Sequence, residues 1–264
     1  MAGLHTWDPQ DYERHSAAQE RWARDCLTRL GLRGDERVLD IGCGDGRVSA
    51  ELAARLPAGS LLAVDTSPQM IAHACETHLS DSAPNLSFAV ADATRLDFVE
   101  RFDLVVSFNC LHWVHDQPAV LAGIGHALLP GGRFFLHFGG HGNVDGMPAV
   151  VEEVSARGAW RAAFADLAFP WCFPEAASYR RLVEDAGLVP DRVELLSTQM
   201  PHEGVAALAG WLRTTWLPYL DRLPAQRRTA FVGEVVEAYL AVRPADEQGR
   251  ISIDAVRLEA EGHR

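Results

Sequence analysis

The stretch from Val38 to Arg47 carries the residues most able to do chemistry, because a short apolar run leads directly into three closely spaced glycines. The glycines are Gly42, Gly44 and Gly46, and a helical pattern begins immediately after them. Glycines at such a turn let the backbone bend tightly, and they let a ligand approach the main chain without a Cβ in the way. The stretch therefore predicts a ligand-binding turn between a strand and a helix.

Carboxylates stand at the predicted ends of three successive strands. Asp40 precedes the first glycine, Asp65 ends the next apolar run, and Asp92 with Ala93 follows the third. A carboxylate at the second strand end can accept hydrogen bonds from ribose hydroxyls. At the third strand end, the acid can accept from an adenine amino group while the small Ala93 leaves room for the ring. The acid before the glycines suits an ammonium-bearing ligand, and the G-x-G-x-G spacing differs from the G-x-G-x-x-G of nicotinamide dinucleotide sites.

The elements that must position these residues follow an alternation of strand and helix patterns. Ser67 and Pro68 mark one helix start, since serine caps a helix N-terminus and proline fits its first turn. The alternation predicts an α/β fold with a doubly wound, mostly parallel sheet, whose ligands bind at the edge where the strands' C-terminal ends meet. The predicted strands are 37–41, 61–64, 86–90, 102–108, 133–138, 189–196 and 251–259, and the predicted helices are 10–30, 47–56, 68–78, 118–128, 174–186 and 225–241.

The alternation loosens after Gly139, which indicates additions to the sheet domain. We predict an N-terminal cap helix in 1–30 and a cofactor-binding core in 31–140. We expect 141–264 to complete the sheet and to carry helical cap insertions that form the substrate pocket.

The composition limits the partners and the location. A net charge of −12 disfavours nucleic acid, because phosphate binding needs a basic surface. No stretch approaches the roughly 20 apolar residues of a membrane helix, and the N-terminus lacks an apolar signal core. We therefore expect a cytoplasmic protein with a small-molecule partner, without nucleic-acid or membrane partners; no pattern indicates an oligomeric state. Lysine is absent, so a fixed cation that binds an anion must be arginine or protonated histidine.

The cysteines and histidines do not form a recognisable metal motif. Five cysteines are scattered without a C-x-x-C pair, and the eleven histidines form no H-E-x-x-H or H-x-H cluster. We therefore predict reduced thiols and no metal site.

With these motifs in place, the segment 36–139 resembles the class I S-adenosylmethionine-dependent methyltransferases. The likeness rests on V-L-D-I-G-C-G-D-G, on Val64-Asp65, on Ala91-Asp92-Ala93 and on L-L-P-G-G-R before the fifth strand. It implies a seven-stranded Rossmann-like sheet, S-adenosyl-L-methionine as cofactor and S-adenosyl-L-homocysteine as product. It also implies a set of cofactor-binding residues: Tyr12, Ser16, Gln19, Asp40, Gly42, Gly44, Gly46, Asp65, Thr66, Met70, Asp92, Ala93 and Asn109.

The flanking segments resemble narrower families. The run from Trp7 to Gln19, the run C-L-H-W-V at 110–114 and the run 208–218 are similar to trans-aconitate 2-methyltransferase and its relatives. L-H-W-V and the N-terminal glutamine also resemble juvenile hormone acid methyltransferase. Both families esterify a carboxylate, which implies a small, anionic acceptor. The likeness implies that Gln19 and Trp113 orient this carboxylate, and we predict that Trp216 also binds the substrate. Arg213, between Trp211 and Trp216, is either a bidentate partner for a second carboxylate or a surface arginine of the cap, and the residues alone leave both open.

The acid–base chemistry of the acceptor side depends on what the acceptor is. A carboxylate, with a pKa around 4, is already ionised at pH 7 and needs no general base. For a phenol or alcohol, His112 is a candidate base. A second interpretation is that His112 packs against Trp113, and the residues alone leave both open.

Several functions fit these residues. The first is O-methylation of a small organic acid, and the second is O-, N- or C-methylation of a natural product. A third, from another class, is a non-catalytic S-adenosylmethionine-binding protein. A nicotinamide dehydrogenase is a more distant alternative.

Overall fold

The computed structural model describes residues 11, 14, 17–80 and 83–264. Tyr12 and Ser16, which the resemblance assigns to the cofactor, lie outside the described residues, so their roles stay predictions. Asp11 and Arg14 have helical backbone geometry, and the first continuous helix, α1, runs from Ala17 to Leu27.

Seven strands form one sheet in the order β3-β2-β1-β4-β5-β7-β6. Strands β1 to β5 pair in parallel in that order, and β7 is antiparallel to β5. The predicted doubly wound, mostly parallel sheet is confirmed, because each parallel strand returns to the sheet through a helix or a helical turn. The strands are β1 (Arg37–Ile41), β2 (Ser60–Asp65), β3 (Leu86–Val90), β4 (Phe102–Phe108), β5 (Leu128–Gly139), β6 (Val189–His202) and β7 (Ile251–His263).

Two helices on the sheet begin at side-chain caps that the sequence provides. Pro68 starts a helix whose N-cap, Ser67, accepts a hydrogen bond from the Met70 N–H, and Asp116 caps the helix after β4 in the same way through Ala119. The remaining helices are α2 (Arg47–Ala53), α3 (Pro68–His78), α4 (Gln117–Ala127), α5 (Met147–Ser155), α6 (Arg161–Phe164), α7 (Ala176–Asp185), α8 (Gly204–Thr215), α9 (Leu217–Leu220) and α10 (Ala225–Val242).

Each face of the sheet is covered by its own apolar layer. On one face, α4 and α7 pack on the sheet through Val120, Leu121 and Tyr179, all fully buried. On the other face, α1 and α2 bury Cys26 and Leu52 against the same strands. Two covered faces explain why the central strands are continuous apolar runs and why the sheet edge is the place left for a ligand.

Contacts divide the chain into two compact units. The sheet unit contains Gln19–His141, Trp171–Leu196 and Val256–Arg264, whereas Gly142–Pro170 and Ser197–Ala255 belong to a helical unit together with the described residues before Gln19. These boundaries differ from the predicted 1–30, 31–140 and 141–264. Most of α1 belongs to the sheet unit because its apolar side is buried against the strands. The substrate pocket expected from the helical insertions stays a prediction.

The helical unit has an aromatic core of its own. Trp160 and Phe164 pack against Phe231, with ring centroids 5.3 and 5.0 Å apart. Within the described part of the chain, no helix combines the length and the apolar character that a membrane crossing requires.

Candidate active site

The glycine turn after β1 is held against β2 by its own backbone. The N–H groups of Gly42 and Cys43 both donate to the Val64 carbonyl, at 2.7 and 3.0 Å. Gly42, Gly44 and Gly46 have φ of 78°, 55° and 80°, a region that side chains with a Cβ rarely adopt. All three glycines are therefore required by the path of the turn.

The space around each glycine differs, and the difference shows which glycines are needed for packing and which one leaves room for a ligand. A Cβ on Gly42 would lie 2.1 Å from Cys110 Sγ, and a Cβ on Gly46 would lie 2.7 Å from the Phe88 ring. A Cβ on Gly44 would meet no atom within 4 Å. Gly42 and Gly46 thus serve close packing, whereas the backbone at Gly44 faces open space that a ligand can enter.

Asp65 links the end of β2 to the glycine turn. Its Oδ2 accepts the Gly44 N–H at 3.0 Å, and its Oδ1 accepts the Ser67 N–H at 2.9 Å. Burial raises the pKa of Asp65, while these backbone hydrogen bonds lower it in part. The carboxylate retains lone pairs for further donors such as hydroxyl groups.

Asp40 lies deeper, at the end of β1, with only 2% of its surface exposed. Its Oδ2 accepts a hydrogen bond from the Ser49 hydroxyl at 2.7 Å. Burial, with a further contribution from the negative charge of Asp65, raises the pKa of Asp40 to about 7 against the opposing effect of Ser49. A cation close to Asp40 would therefore favour its ionised form.

The third carboxylate lies beside Asp65 because β2 and β3 pair in register. Asp65 pairs with Val90, and the Ala91 N–H donates to the Asp65 carbonyl at 3.0 Å. Asp92 is exposed and its Oδ1 accepts the Thr94 N–H at 2.9 Å. The structure thus brings Asp40, Asp65 and Asp92 to one edge of the sheet, which we call the carboxylate edge.

The remaining predicted cofactor residues on this side differ in exposure. Thr66 is exposed directly after β2, whereas Met70 is buried on α3. Ala93 packs at the margin of the apolar layer that contains Leu121. Their positions place them near the carboxylate edge, and their contacts with a cofactor stay predictions.

Asn109 opens the loop after β4 in a conformation that is uncommon for a residue with a side chain. Its φ is 56°, and its N–H donates to the His137 carbonyl at 2.7 Å. Its side chain is held from two sides: Nδ2 donates to the Gln19 carbonyl at 3.0 Å, and Oδ1 accepts from Arg257. Asparagine tolerates this left-handed geometry better than most residues, and such strained positions cluster at functional sites.

The loop from 110 to 113 forms an aromatic cluster with residues 171–173 of the same unit. The ring centroids of Trp113 and Trp171 are 5.6 Å apart, and those of His112 and Phe173 are 5.9 Å apart. The Cys172 N–H donates to the His112 carbonyl at 2.8 Å, which joins the two segments through the backbone. The rings of His112, Trp113 and Phe173 are half-buried, and aromatic rings at this end of β4 can enclose a small ligand and exclude water.

The hydrogen bonding of His112 assigns its tautomer. The Gly139 N–H donates to Nδ1 at 3.4 Å, so the neutral ring carries its proton on Nε2. Burial, and then the positive charge of Arg257, hold the pKa of His112 well below its usual range. His112 is therefore a neutral ring that can donate a hydrogen bond from Nε2.

Gln19 is carried to the same loop by α1. Helix α1 is tied to α2 by ion pairs between Arg47 and Glu20, at 2.9 Å, and between Arg24 and Glu51. The Oε1 atom of Gln19 is buried and has no hydrogen-bond partner among the described residues. Because a buried amide oxygen without a partner is costly, the atom suits a donor from a ligand. Gln19, Asn109, His112 and Trp113 define what we call the donor end.

Comparisons with known proteins are consistent with this geometry. Residues 38–132 match a family model described as a methyltransferase domain. The chain is 30% identical over 250 residues to a trans-aconitate 2-methyltransferase of Methylobacterium radiotolerans, covering 92% of this chain and 93% of that relative. It is 31% identical over 256 residues to a trans-aconitate 2-methyltransferase of Streptomyces avermitilis, covering 95% and 94%.

The chain belongs to the S-adenosylmethionine-dependent methyltransferases.

A solved structure with the same fold contains the cofactor. The phosphoethanolamine N-methyltransferase 2 of Haemonchus contortus, in complex with S-adenosyl-L-methionine, matches this methyltransferase with a TM-score of 0.60 at 18% identity, over 97% of this chain and 56% of that chain. At this identity the match shows the fold alone.

The residues of the methyltransferase fit S-adenosylmethionine as its cofactor. Open space at Gly44 leaves the backbone accessible, and the carboxylate edge offers acceptors for ribose hydroxyls, for an amino group and for a cation. The unsatisfied Gln19 oxygen offers one more acceptor.

Two predicted substrate residues lie in the helical unit of the methyltransferase. The Nε of Arg213 lies 3.8 Å from Asp11, and 42% of the side chain is exposed. Trp216 is buried among Trp211 and Tyr219. Contacts of either residue with an acceptor stay predictions.

Arg257 is a residue that the sequence reasoning missed. It lies on β7, where register pairs it with Gly139, and only 4% of its surface is exposed. Arg257, Glu259 and Glu261 alternate along β7, so their side chains point to one face of the sheet. The signal available in the sequence was the charged residue at every second position toward the end of the last predicted strand. In the structure, that strand lies between two others.

A buried cluster beside Arg257 has the composition of a metal site. Ligand atoms of Cys26, His137 and Glu259 lie within 4.8 Å of one another. The Glu259 carboxylate already accepts hydrogen bonds from Arg29 and Arg192, and burial raises the pKa of the Cys26 thiol to about 12. Two guanidinium groups and a protonated thiol disfavour a further cation, so the absence of a metal stays our prediction.

One cavity lies away from these groups. It has a volume of about 350 Å³ and is lined by the beginnings of β1, β4 and the β5 turn, including Glu36, Asp103 and Arg133. The Glu36 carboxylate accepts backbone N–H groups of residues 33 and 34, and Asp103 pairs with Arg37. Because the strands' amino ends surround this cavity, we do not assign it to the reaction.

Proposed function

We propose that this methyltransferase transfers a methyl group to a carboxylate oxygen of a small organic acid similar to trans-aconitate. The observation that carries the proposal is the likeness, over more than nine-tenths of both chains, to two relatives named trans-aconitate 2-methyltransferase. The donor end supports it, because Trp113, His112 and Gln19 together offer N–H groups to an anion.

The transfer needs little from the protein beyond placement. When bound, S-adenosylmethionine supplies the methyl group: an acceptor oxygen lone pair forms the new O–CH₃ bond while the S–CH₃ bond breaks and leaves its electron pair on sulfur. Gln19, through its amide N–H, and Trp113, through its indole N–H, hold the acceptor carboxylate and point one oxygen at the methyl group. Correct placement of this kind lowers the barrier by several kcal/mol.

On the cofactor side, the roles follow the geometry of the carboxylate edge. Asp65 accepts the ribose hydroxyls, Asp92 accepts the adenine amino group beside Ala93, and Asp40 interacts with the ammonium group. Gly44 leaves space for the approach of the cofactor, and Asn109 would contact the cofactor from the loop after β4. Thr66, Met70, Tyr12 and Ser16 complete this set.

The protonation of His112 favours a carboxylate over a phenol or an alcohol. A hydroxyl acceptor needs a base, but Nδ1 of His112 already accepts the Gly139 N–H and Nε2 carries the proton. A carboxylate arrives ionised and needs a donor instead. We therefore prefer acid methylation to tailoring of hydroxyl-bearing natural products.

The decisive experiment measures S-adenosylhomocysteine release with a panel of acceptors. Trans-aconitate and related small polycarboxylic acids are compared with phenols, alcohols and amines of similar size. We expect turnover with the acids alone. The product should have one titratable carboxyl group fewer than the substrate, because one carboxylate has become a methyl ester. Turnover confined to phenols or amines, or none with any acceptor despite tight cofactor binding, would contradict the proposal.

Variants at the donor end test the assigned roles. We expect Gln19→Ala and Trp113→Phe to lower kcat/KM for the acid at least tenfold, the worth of a hydrogen bond to a charged group, while cofactor affinity changes less. Trp113→Phe preserves most of the ring packing and removes the indole N–H. Gln226→Ala, on an exposed face of α10, is the matched control and should leave kcat/KM unchanged.

A further inference from the structure

Arg257, on β7, contacts the donor end through Asn109. Its strand, β7, runs antiparallel to β5, and the pairing of Arg257 with Gly139 puts it at the C-terminal edge of the parallel strands, where Asn109 begins its loop. The side chain is almost completely buried. An arginine in such a position is costly to desolvate unless its surroundings compensate for the charge.

The contacts of Arg257 join the residues of the proposed acceptor site. Its guanidinium carbon lies 4.8 Å from the centre of the Trp22 ring, a cation–π arrangement, and Nη2 donates to Asn109 Oδ1. Asn109 in turn donates to the Gln19 backbone. One hydrogen-bonded chain therefore runs from Arg257 through Asn109 to Gln19.

The nearest acid along β7 pairs with arginines other than Arg257. Glu259, two residues farther along β7, accepts hydrogen bonds from Arg29 and Arg192. The charge of Arg257 also acts on the nearby imidazoles: after burial, it is the next cause that lowers the pKa of His112 and of His137. Its positive field therefore extends to the ring that faces the proposed acceptor.

We propose that Arg257 supplies the fixed positive charge that selects an anionic acceptor at the donor end and holds Asn109 in place beside it. This inference rests on the proposed carboxylate methylation. Arg257 acts as a specificity-determining residue: its charge stabilises a bound carboxylate, and its hydrogen bond fixes the asparagine. Among basic side chains only a guanidinium provides a permanent charge together with several directed N–H groups.

The test replaces Arg257 and measures KM and kcat separately with trans-aconitate. Arg257→Gln removes the charge but keeps an N–H donor for Asn109. Arg257→Lys keeps the charge but loses the planar guanidinium and its several directed N–H groups. Arg101→Gln is the matched control: Arg101 also lies over aromatic rings, those of Phe98 and Phe102, but at the start of β4, the opposite end of the strand.

We expect Arg257→Gln to raise KM for trans-aconitate about tenfold or more, with a smaller fall in kcat. Arg257→Lys should raise KM by less than Arg257→Gln, and Arg101→Gln should leave both constants within twofold. S-adenosylhomocysteine affinity, measured by calorimetry, should change less than KM in every variant. A purely structural arginine would instead lower the melting temperature and the fraction of active protein while KM stays constant, and that result would overturn the inference.

The outcomes separate this inference from the proposed function. If wild-type protein methylates trans-aconitate and Arg257→Gln has an unchanged KM, the charge selection is wrong and the acid methylation stands. If wild-type protein methylates only neutral acceptors, both fail.

Should Arg257→Gln not fold, the wild-type enzyme still tests the selection by charge. Propane-1,2,3-tricarboxylate and its triamide have nearly the same shape, and the inference requires the acid to compete at least tenfold better against trans-aconitate. Equal competition would contradict it. Arg257→Lys then tests the charge itself: a KM for the acid raised by less than tenfold, with discrimination against the triamide retained, supports the inference, and loss of that discrimination contradicts it.

Discussion

On one side of Gly42 the sheet edge presents carboxylates from Asp40, Asp65 and Asp92, whereas on the other side it presents N–H donors and the guanidinium of Arg257. Both regions belong to the sheet unit, and both are built from the residues that follow parallel strands. S-adenosylmethionine is a cation with hydroxyl and amino groups, so it needs acceptors. A carboxylate needs donors and positive charge. The division of chemistry along one edge is thus what a reaction between a cationic donor and an anionic acceptor requires.

The comparison also shows what separates the two regions. Gly42 lies in the glycine turn between Asp40 and Asp65, and Cys110 lies in the loop that carries the donor end. The Cys110 sulfur fills the space that a Cβ on Gly42 would need. The two regions are therefore packed directly against each other. A change at this contact should disturb both, whereas changes farther away should disturb only one.

The largest expected effect comes from Gly42→Ala. The new Cβ would lie 2.1 Å from Cys110 Sγ, and the residue has φ of 78°. Overpacking costs about 1–3 kcal/mol and left-handed geometry about 1–2 kcal/mol. We expect a clear drop in the free energy of unfolding, measured with urea, together with loss of cofactor binding and of turnover.

Gly44→Ala provides the contrast within the same turn. Its Cβ meets no atom within 4 Å, so only the backbone strain at φ of 55° remains. We expect the variant to fold with a loss of about 1 kcal/mol and to bind S-adenosylhomocysteine weakly, because the methyl group occupies space used by the ligand. Wild-type affinity in Gly44→Ala would show that the ligand approaches elsewhere.

An intermediate effect is expected from Asp65→Ala, which acts on the carboxylate edge alone. Loss of a charged hydrogen-bond partner should weaken S-adenosylhomocysteine binding by about 1.5–3 kcal/mol, roughly 10- to 150-fold. Calorimetry measures this directly, and Asp185→Ala, on an exposed position of α7, serves as the control. Because Asp65 also accepts the Gly44 N–H, thermal unfolding of the free protein should accompany the titration. Unchanged affinity would remove Asp65 from the cofactor site.

The two regions also differed in how far the sequence predicted them. The carboxylate edge follows from local order: each acid lies within two residues of the C-terminal end of its strand, so the alternation of strands and helices was enough to bring Asp40, Asp65 and Asp92 together. Helix α3 was predicted with its observed bounds, because Ser67 and Pro68 mark its beginning. Local signals of this kind can be recognised in a single sequence.

The donor end depends on contacts between distant segments, and these were harder to predict. Arg257 is 148 positions from Asn109, and only the antiparallel return of β7 beside β5 joins them. The association of Trp171 with Trp113 likewise depends on a loop that returns to the sheet unit. Trp216 packs among other aromatic rings of the helical unit, and its predicted contact with the substrate stays a prediction.

The smallest expected effect is a pH dependence that belongs to Asp40. Its folded pKa of about 7 lies above the ordinary aspartate value of 3.8. A carboxyl group with a raised folded pKa costs no stability below the unfolded pKa, and the cost grows as pH rises toward the folded pKa and is constant above it. The free protein should therefore lose stability between about pH 4 and pH 7, and Asp40→Asn should abolish this part of the loss.

Cofactor binding should show the opposite trend, because an ammonium group favours the ionised form of Asp40. With a pKa near 7, the ionised fraction rises about tenfold between pH 6 and pH 8, and S-adenosylhomocysteine affinity should rise by up to the same factor. The groups that act electrostatically on Asp40 include Asp65 and the thiols of Cys43 and Cys110, whose pKa values are raised by burial, so both thiols stay protonated in this range. Ser49→Ala removes the hydrogen bond that favours ionisation and should move the affinity curve to higher pH. A curve that is the same in wild type and in Asp40→Asn would assign the pH dependence to another group and separate Asp40 from the cofactor.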